Sequence, residues 1–215
     1  MNLKLTAIAL TALAAGAVLA YAILSPGIPA PTQNSQTVGP ARSGELPSTG
    51  KALVGGPFSL IDQTGKRVTD QDFRGRYLLV FFGYTYCPDV CPAALSVISA
   101  AIDQLGAAGD VITPVLISID PARDTPEKMG AYVKSFHPRF IGLTGTPDEV
   151  AKAVKAYRVY AKRAPDERNP AEYTMDHSSL VYLMGPNGGL VAFSPEITKA
   201  GALAEQLRKG LAFKG

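Results

Sequence analysis

Apolar residues in the first half of the folded region, which begins near Phe58, follow strand-like and helix-like spacings in turn. The segment FSLIDQTGKRVT predicts a short hairpin whose turn spans Gln63 to Lys66. It is followed by YLLVFFGY, from Tyr77 to Tyr84, an apolar and aromatic run short enough for a buried strand. The next stretch, Pro92 to Leu105, has helical spacing, and one face carries its large apolar residues, Leu95, Ile98, Ile102 and Leu105.

The second half continues this alternation and ends in another hairpin. The predicted elements are a strand at Val111 to Asp120, a helix opening at Thr125-Pro126, a strand at Phe140 to Leu143, a helix at Pro147 to Tyr157, strands at Leu180 to Met184 and Leu190 to Phe193, and a helix at about Glu196 to Leu211. The Asn-Gly step in GPNGG is a strong hairpin signal. This order implies parallel central strands with an antiparallel edge. The predicted fold class is therefore α/β with a thioredoxin-like plan, a central mixed sheet flanked by helices and preceded by an N-terminal hairpin.

The N-terminal residues form a separate apolar segment. The run from Leu5 to Leu24 is uncharged, and as a helix it would extend roughly 30 Å, about the hydrocarbon thickness of a bilayer. A cleaved signal peptide is the alternative, because Ala20-Tyr21-Ala22 is a passable small-x-small cleavage site. Signal-peptide apolar regions are shorter, about 7 to 15 residues. Residues 1–24 are therefore expected to form one transmembrane helix that anchors the chain.

The rest of the chain is expected to comprise a linker and one exported domain. Residues 25–50 are dense in Pro, Gly, Ser and Thr, which is typical of a flexible linker, and residues 51–215 form the predicted domain. Lys4 precedes the apolar run and the next basic residue is Arg42, so the positive-inside tendency leaves the N-terminus in the cytoplasm. No Arg-rich, Ser-rich presequence precedes the run. We therefore expect a bacterial cytoplasmic (inner) membrane protein, single-pass, with its C-terminal domain in the periplasm.

Composition narrows the possible partners. Hydrophobic residues make up 47% of the chain and charged residues 18%, which favours a folded protein. The formal net charge is only +3, and the basic residues do not gather into runs with interleaved aromatic residues. Nucleic acid is therefore not an expected partner. The chain also has no repeat of tens of residues, which argues against a solenoid.

Both cysteines lie in GYTYCPDVCP, immediately after the first apolar strand. Chemistry in an open α/β sheet gathers at the carboxyl ends of the strands, where helix N-termini stabilise negative charge. Pro88 favours a loop conformation for Cys87, with Cys91 at or just inside the helix start. Both thiols are expected to ionise more readily than a free thiol. The pair can serve as a redox pair, a metal site or a structural disulfide, although a loop of three residues gains little stability from a disulfide.

A histidine is expected to face this pair. His177 lies in TMDHSSLVYLMGPNG, just before the strand predicted to run beside the cysteine-bearing strand. Thioredoxins place a cis-proline there, whereas this chain has Asp176-His177-Ser178-Ser179. Two thiolates and one imidazole suit copper. The other histidine, His137, follows a predicted helix and is interpreted as a surface or packing residue.

Three motifs in order, CPDVCP, IDPARDTP and DHSSLVYLMGPNG, resemble those of the Sco/SenC family of membrane-anchored copper-binding proteins with a thioredoxin-like fold. The resemblance covers about residues 52 to 212. It implies a copper metallochaperone, binding Cu(I) or Cu(II), that assists assembly of the binuclear CuA centre of cytochrome c oxidase. The family's ligands fall on Cys87, Cys91 and His177. Asp120 matches a family aspartate near the site, and Asp176 is expected to orient the His177 ring as an outer hydrogen-bond acceptor.

The resemblance leaves two functions open. The first is copper delivery to the CuA-bearing subunit of the oxidase, with another periplasmic copper chaperone or a thiol reductase as a further candidate partner. The second is a thiol-disulfide oxidoreductase that keeps the cysteines of the CuA site reduced, with Cys87 and Cys91 as its redox-active pair. A stable copper site requires the imidazole of His177, whereas thiol exchange does not. A peroxidase is a weaker alternative, because Thr85 only loosely matches the threonine that precedes a peroxiredoxin cysteine. Whether the chain is an enzyme therefore stays open.

Overall fold

The computed structural model describes residues 54–212 except for residues 168, 170, 171, 196 and 198. The predicted membrane helix at 1–24 and the predicted linker at 25–50 lie outside the described residues. Among the described residues, one helical stretch, Val90–Val111, is long and apolar enough to cross a membrane by length and composition. Most of its large apolar side chains lie in the protein core, as they do in core helices of other globular domains.

Nine strands are described, and seven of them form one mixed sheet. The strands are β1 (Ser59–Asp62), β2 (Arg67–Thr69), β3 (Tyr77–Gly83), β4 (Ile112–Ser118), β5 (Ile141–Thr144), β6 (Ala161–Pro165), β7 (Tyr173–His177), β8 (Val181–Met184) and β9 (Leu190–Ser194). The sheet order is β2-β1-β5-β4-β3-β8-β9. Strands β3, β4 and β5 run parallel, whereas β1 and β8 join them antiparallel. The predicted mixed sheet with an N-terminal hairpin is confirmed.

Four α-helices accompany the sheet. They are α1 (Val90–Leu105), α2 (Pro126–Lys134), α3 (Pro147–Ala156) and α4 (Ala200–Ala212). Two of them, α2 and α3, begin at the predicted N-terminal signals, whereas α1 begins at Val90, two residues before the predicted Pro92. The hydroxyl of Thr125 accepts a hydrogen bond from the first turn of α2, and Thr146 forms a capping box with Glu149 at the start of α3. The predicted start of the last helix, at about Glu196, was too early. Helix α4 begins at Ala200.

The core lies between the sheet and its helices, and it fixes where β3 ends. Every residue of β3 from Leu78 to Gly83 is buried, as predicted for a central strand with both faces covered. The apolar face of α1 is buried as well, and it carries the four predicted residues Leu95, Ile98, Ile102 and Leu105. Helix α1 packs against α4. The carboxyl end of β3 and the amino end of α1 are therefore held rigidly next to each other.

A two-stranded ribbon, β6 paired with β7, was missed by the sequence prediction. Its register places Ala161 opposite His177 and Pro165 opposite Tyr173. Strand β6 reads AKRAP and none of its residues is buried, so it lacks the apolar alternation by which a strand is recognised. His177, expected in a loop before β8, is instead the last residue of β7.

Candidate metal centre

The loop between β3 and α1 positions the two sulfur atoms. Cys91 is the second residue of α1 and is fully buried, whereas Cys87 lies in the loop and is partly buried. The N-cap residue Asp89 makes no side-chain cap hydrogen bond. The backbone N–H of Cys91 donates instead to the Sγ atom of Cys87 over 3.3 Å. The Cys87 sulfur therefore satisfies one of the unpaired N–H groups at the helix start, and this draws the two sulfurs together.

His177 completes a cluster with the cysteines. Its Nε2 atom lies 3.5 Å from the Sγ atom of Cys91, and its ring stands edge-on to Phe81 and Tyr84 with centroid distances of 6.1 Å to each. The ligand atoms of Cys87, Cys91 and His177 all lie within 4.8 Å of one another. The structure therefore brings together all three residues that the sequence singled out as ligands.

The hydrogen bond made by Nδ1 of His177 determines the tautomer of the ring, and so whether Nε2 has a lone pair to offer a metal. Nδ1 lies 3.1 Å from the backbone carbonyl oxygen of Ser178. A carbonyl oxygen only accepts hydrogen bonds, so the proton of the neutral ring sits on Nδ1 and the lone pair sits on Nε2. This is the support that a metal-ligating imidazole usually receives from its surroundings.

Asp176 was predicted to give that support, and this assignment is corrected by the structure. The acceptor is the Ser178 carbonyl, and no hydrogen bond between Asp176 and His177 is found among the described residues. Successive side chains of a strand point to opposite faces, so Asp176 on β7 is directed away from the side that His177 occupies. Asp176 is exposed to solvent.

The donor set fits a soft metal ion. Metal–sulfur bonds of about 2.3 Å place two ligand atoms of one ion roughly 4 Å apart. Donor atoms that already lie within 4.8 Å of one another require only small shifts to reach such an arrangement. Thiolate and imidazole donors select copper and zinc over magnesium or calcium. Both cysteines are free thiols in the structure, so the sulfurs are available as ligands.

The two thiols differ in acidity, contrary to the expectation that both would ionise readily. A hydrogen bond from the Cys91 thiol, together with hydrogen bonds from backbone N–H groups, lowers the pKa of Cys87 to about 4. The same hydrogen bond and burial raise the pKa of Cys91. Two adjacent thiols in a partly buried site do not both ionise readily, because the second charge would face the first. Cys87 is therefore the thiolate and Cys91 retains the proton.

This asymmetry predicts the pH profile of alkylation. The ordinary thiol pKa is 9.0, so the iodoacetamide rate of an unfolded cysteine rises about tenfold per pH unit below that value. In the reduced native chain, Cys87 is expected to react at a nearly constant rate between pH 5.5 and 8 and to slow only as the pH falls towards about 4. Cys91, buried and protonated, is expected to remain unmodified. Peptide mass spectrometry after timed alkylation measures both, and a Cys87 rate that climbs tenfold per unit would contradict the assignment.

Gly83 was missed by the sequence reasoning, although it makes room for the buried sulfur. A Cβ atom at this last residue of β3 would lie 2.9 Å from the Sγ atom of Cys91, 3.0 Å from a ring carbon of Phe81 and 3.3 Å from Leu116. Contacts this short force neighbouring atoms to move. The available signal was a glycine that closes an apolar strand directly before the cysteine loop, where a close approach of another group is a common reason for glycine.

Gly83→Ala is expected to overpack this site. The substitution should lower the free energy of unfolding by about 1–3 kcal/mol, as overpacked cores usually do, and displace the Cys91 sulfur. Urea unfolding measures the stability, and the Cys87 alkylation profile reports the sulfur geometry. Gly201→Ala in α4 is the matched control, because its Cβ would meet only a Gln104 oxygen at 3.6 Å. An unchanged alkylation profile in Gly83→Ala would show that the close approach has no consequence for the thiols.

The two aspartates of IDPARDTP, Asp120 and Asp124, lie near the cluster and make different contacts. Asp120 follows β4, is buried, and accepts hydrogen bonds from Arg123 and from the hydroxyl of Tyr173. It contacts none of the three clustered residues in the hydrogen bonds described. Asp124, which the sequence reasoning missed, is buried and accepts from the backbone N–H and the hydroxyl of Thr85. Asp124 therefore ties the cysteine loop to the end of β4.

His137 lies apart from the cluster, in agreement with its interpretation as a packing residue. Its Nε2 atom lies 3.4 Å from an Asp103 carboxylate oxygen on α1, and its Nδ1 atom accepts the backbone N–H of Arg139 over 3.1 Å. These contacts join the end of α2 to α1. The residue is a matched control for substitutions at His177.

Comparison with known proteins identifies the family. A family model described as SCO1/SenC matches residues 47–212 of the chain. The chain belongs to this family. The resemblance of the three sequence motifs is thereby confirmed, and the match extends across all the residues that the structure describes.

Individual SCO1/SenC proteins agree with this assignment. Protein SCO1 homolog 1, mitochondrial, from Arabidopsis thaliana is 47% identical over 69% of this chain and 44% of its own length. Protein SenC from Rhodobacter capsulatus is also 47% identical, over 66% of this chain and 63% of its own. The chain thus spans about half the length of the curated relatives it matches.

Solved structures confirm the thioredoxin-like fold. The crystal structure of Arabidopsis thaliana ScoI with copper bound has a TM-score of 0.70 and 41% sequence identity, covering 74% of this chain and 98% of that one. A more distant structure is that of BsSco, described as a member of the Sco family of cytochrome c oxidase assembly proteins. It has a TM-score of 0.59 and 21% identity, covering 77% of this chain and 98% of that one. At this lower identity the likeness supports the fold alone.

Proposed function

We propose that this SCO1/SenC chain binds one copper ion through Cys87, Cys91 and His177 and delivers it to the CuA centre of cytochrome c oxidase. The observation that carries the proposal is the convergence of two sulfurs and one imidazole nitrogen within 4.8 Å of one another. Copper is the cargo of this site, supplied by a donor and released to an acceptor.

The geometry supports release as well as binding. Cys91 is fully buried, whereas Cys87 is partly exposed in its loop. An incoming thiolate from an acceptor reaches the Cys87 side first and can replace the ligands one at a time. The set has two sulfurs and one nitrogen, which suits copper. A closed set of four protein ligands, typical of structural zinc, is absent from the described residues.

Different observations support the copper cargo, the oxidase as acceptor and the membrane location. A copper cargo is supported by the related Arabidopsis structure, which contains copper. The oxidase subunit as acceptor follows from the motif resemblance, and the same resemblance admits a second periplasmic copper chaperone as donor. The apolar run Leu5 to Leu24 supports anchoring in a bacterial inner membrane with the domain in the periplasm. A C-terminal alkaline phosphatase fusion that is inactive would contradict this orientation.

Copper transfer to a purified acceptor tests the proposal directly. The full chain, purified in detergent, reduced and loaded with one copper per chain, is mixed anaerobically with the reduced, metal-free CuA domain of an oxidase subunit. Delivery predicts that copper leaves the chain and is recovered with the acceptor, by metal analysis, after the two proteins are separated. Copper that stays with the chain, at acceptor concentrations that do strip copper from a weak chelator, would contradict the proposal.

Thiol-disulfide exchange is the second candidate, and the acidity difference between the cysteines favours it. Cys87, with its low pKa, would attack one sulfur of an acceptor disulfide and release the other as a thiolate. Cys91 would then lose its proton and attack the mixed disulfide, leaving a Cys87–Cys91 disulfide and a fully reduced acceptor. Incubating the copper-free reduced chain with oxidised CuA domain tests this reaction. Alkylation of both proteins then shows whether two electrons have moved.

A further inference from the structure

The β6–β7 ribbon carries His177, and specific contacts must hold it in position beside the cysteines. Among the described strands, β6 and β7 pair only with each other and make no ladder with the seven-stranded sheet. The cysteines, in contrast, belong to the junction of β3 and α1. Besides the short connection from His177 to β8, the distance between imidazole and thiols therefore depends on side-chain contacts that join the ribbon to the main body.

One anchor lies in the middle of β7. The backbone N–H of Met175 donates to the Tyr84 hydroxyl over 3.2 Å, and the same hydroxyl lies 3.1 Å from the hydroxyl oxygen of Thr174. Tyr84 follows β3 and is buried. This contact holds the middle of β7 against the end of β3.

A second anchor lies at the first residue of β7. The guanidinium carbons of Arg123 and Arg163 each lie 3.6 Å from the centroid of the Tyr173 ring. Two groups at this distance cannot share one face of a ring without overlapping, so the two arginines lie on opposite faces. The Tyr173 hydroxyl donates to Asp120 over 2.8 Å. Arg163 belongs to β6, whereas Arg123 and Asp120 belong to the loop after β4.

Arg123 also reaches the cysteine loop. Its Nε donates to the carboxylate of Asp120, its Nη1 lies 3.6 Å from Glu172 beside the ribbon, and its guanidinium carbon lies 4.7 Å from the ring centroid of Tyr86. Tyr86 is the residue before Cys87. Only 14% of the Arg123 side chain is exposed. One guanidinium group thus contacts the end of β4, the ribbon and the thiol-bearing loop.

We propose that Arg123 is a positioning residue that sets the separation between His177 and the two thiols. A planar guanidinium can stack on the Tyr173 ring while it pairs in its own plane with Asp120, which a lysine ammonium cannot do. Its Nη2 atom is buried and has no hydrogen-bond partner among the described residues, so hydrogen bonding does not use the whole guanidinium group. The role rests on the proposed copper function, since it acts through the ligand His177.

The test compares Arg123→Met and Arg123→Lys with Arg139→Met in the full chain in detergent. Arg139 is a partly exposed arginine that contacts Gly109 and Asp110, so it controls for loss of a bonded guanidinium elsewhere. Three quantities are measured, namely hydrogen exchange of the β7 amides without copper, Cu(I) affinity by competition with a chelator, and urea unfolding. Arg123→Met should speed β7 exchange at least tenfold and weaken Cu(I) binding about 10–100-fold, the usual effect of outer groups on metal sites. Arg123→Lys should recover little of either.

The outcomes separate this inference from the function on which it rests. The positioning role would be overturned if the Arg123→Met and Arg139→Met variants showed the same β7 exchange rates and the same Cu(I) affinity. This holds whatever effect the two substitutions have on unfolding. A wild-type chain that binds no copper would overturn the proposed function, whereas β7 exchange in the copper-free protein would still test the anchor. If Arg123→Met does not fold, Tyr173→Leu removes the stacked ring from the same contact and is expected to give the same two changes.

Discussion

Oxidation of Cys87 and Cys91 to a disulfide is expected to reduce tightly bound copper from one ion per chain to none. Both sulfur donors are then consumed by the S–S bond, and one imidazole alone does not hold copper tightly. The free thiols lie close enough for this reaction, since their sulfur atoms are within 4.8 Å of each other. The measurement is metal content per chain after desalting, on reduced and oxidised samples that were prepared anaerobically and titrated with Cu(I).

The control for this experiment is the re-reduced sample, in which one copper per chain should return. Cys87→Ser and Cys91→Ser are expected to bind no copper tightly under either condition, because each leaves one thiol. Tight one-to-one binding by the disulfide form would contradict the assignment of both sulfurs as ligands. It would also direct attention to oxygen and nitrogen donors around His177.

Replacement of His177 by Ala is expected to weaken copper binding at least as much as the loss of an outer group does, which is typically 10 to 100-fold. The Nε2 ligand disappears, while both thiols keep the helix N-terminus and each other. The Cu(II)–thiolate absorption should change in position and intensity for the same reason. Chelator competition measures the affinity, and absorption spectroscopy records the thiolate-to-Cu(II) charge-transfer band.

Thiol exchange provides the internal comparison for His177→Ala. Reaction of the Cys87–Cys91 disulfide with a small dithiol should change much less than copper affinity does, and His137→Ala should change neither. In cells at limiting copper, a His177→Ala strain that fails to assemble active oxidase, and is partly rescued by excess copper, would favour copper delivery. Thiol reduction would be favoured if the His177→Ala strain assembled active oxidase normally while a Cys87→Ala strain did not.

Local patterns in the sequence were sufficient for the elements that build the core. The strand at Tyr77 to Gly83 and the buried face of α1 are set by apolar spacing, which burial enforces directly. The three clustered residues were found because the topology of such a sheet brings the end of β3 and the start of β8 together. The sequence motifs therefore predicted which three side chains cluster more accurately than they described the surroundings of that cluster.

The surroundings depend on contacts between residues distant in sequence. Nothing in the local pattern near Arg123 indicates that it stacks on Tyr173, fifty positions later. The different acidity of the two thiols arises from a hydrogen bond between them that only the folded loop creates. Strand β6 has no buried residue, so no alternation of buried apolar and exposed polar positions marked it.

Two of the three proposed ligand atoms come from the β3–α1 junction and the third comes from β7, about ninety positions further along the chain. A copper ion held by all three therefore closes a long loop of the polypeptide, as a covalent cross-link would. By mass action, free copper at a thousand times its dissociation constant adds about 4.1 kcal/mol to the free energy of unfolding. Loaded and empty chains consequently differ in how often they open, and a protease in the same compartment would degrade the empty chains faster and spare those that carry cargo.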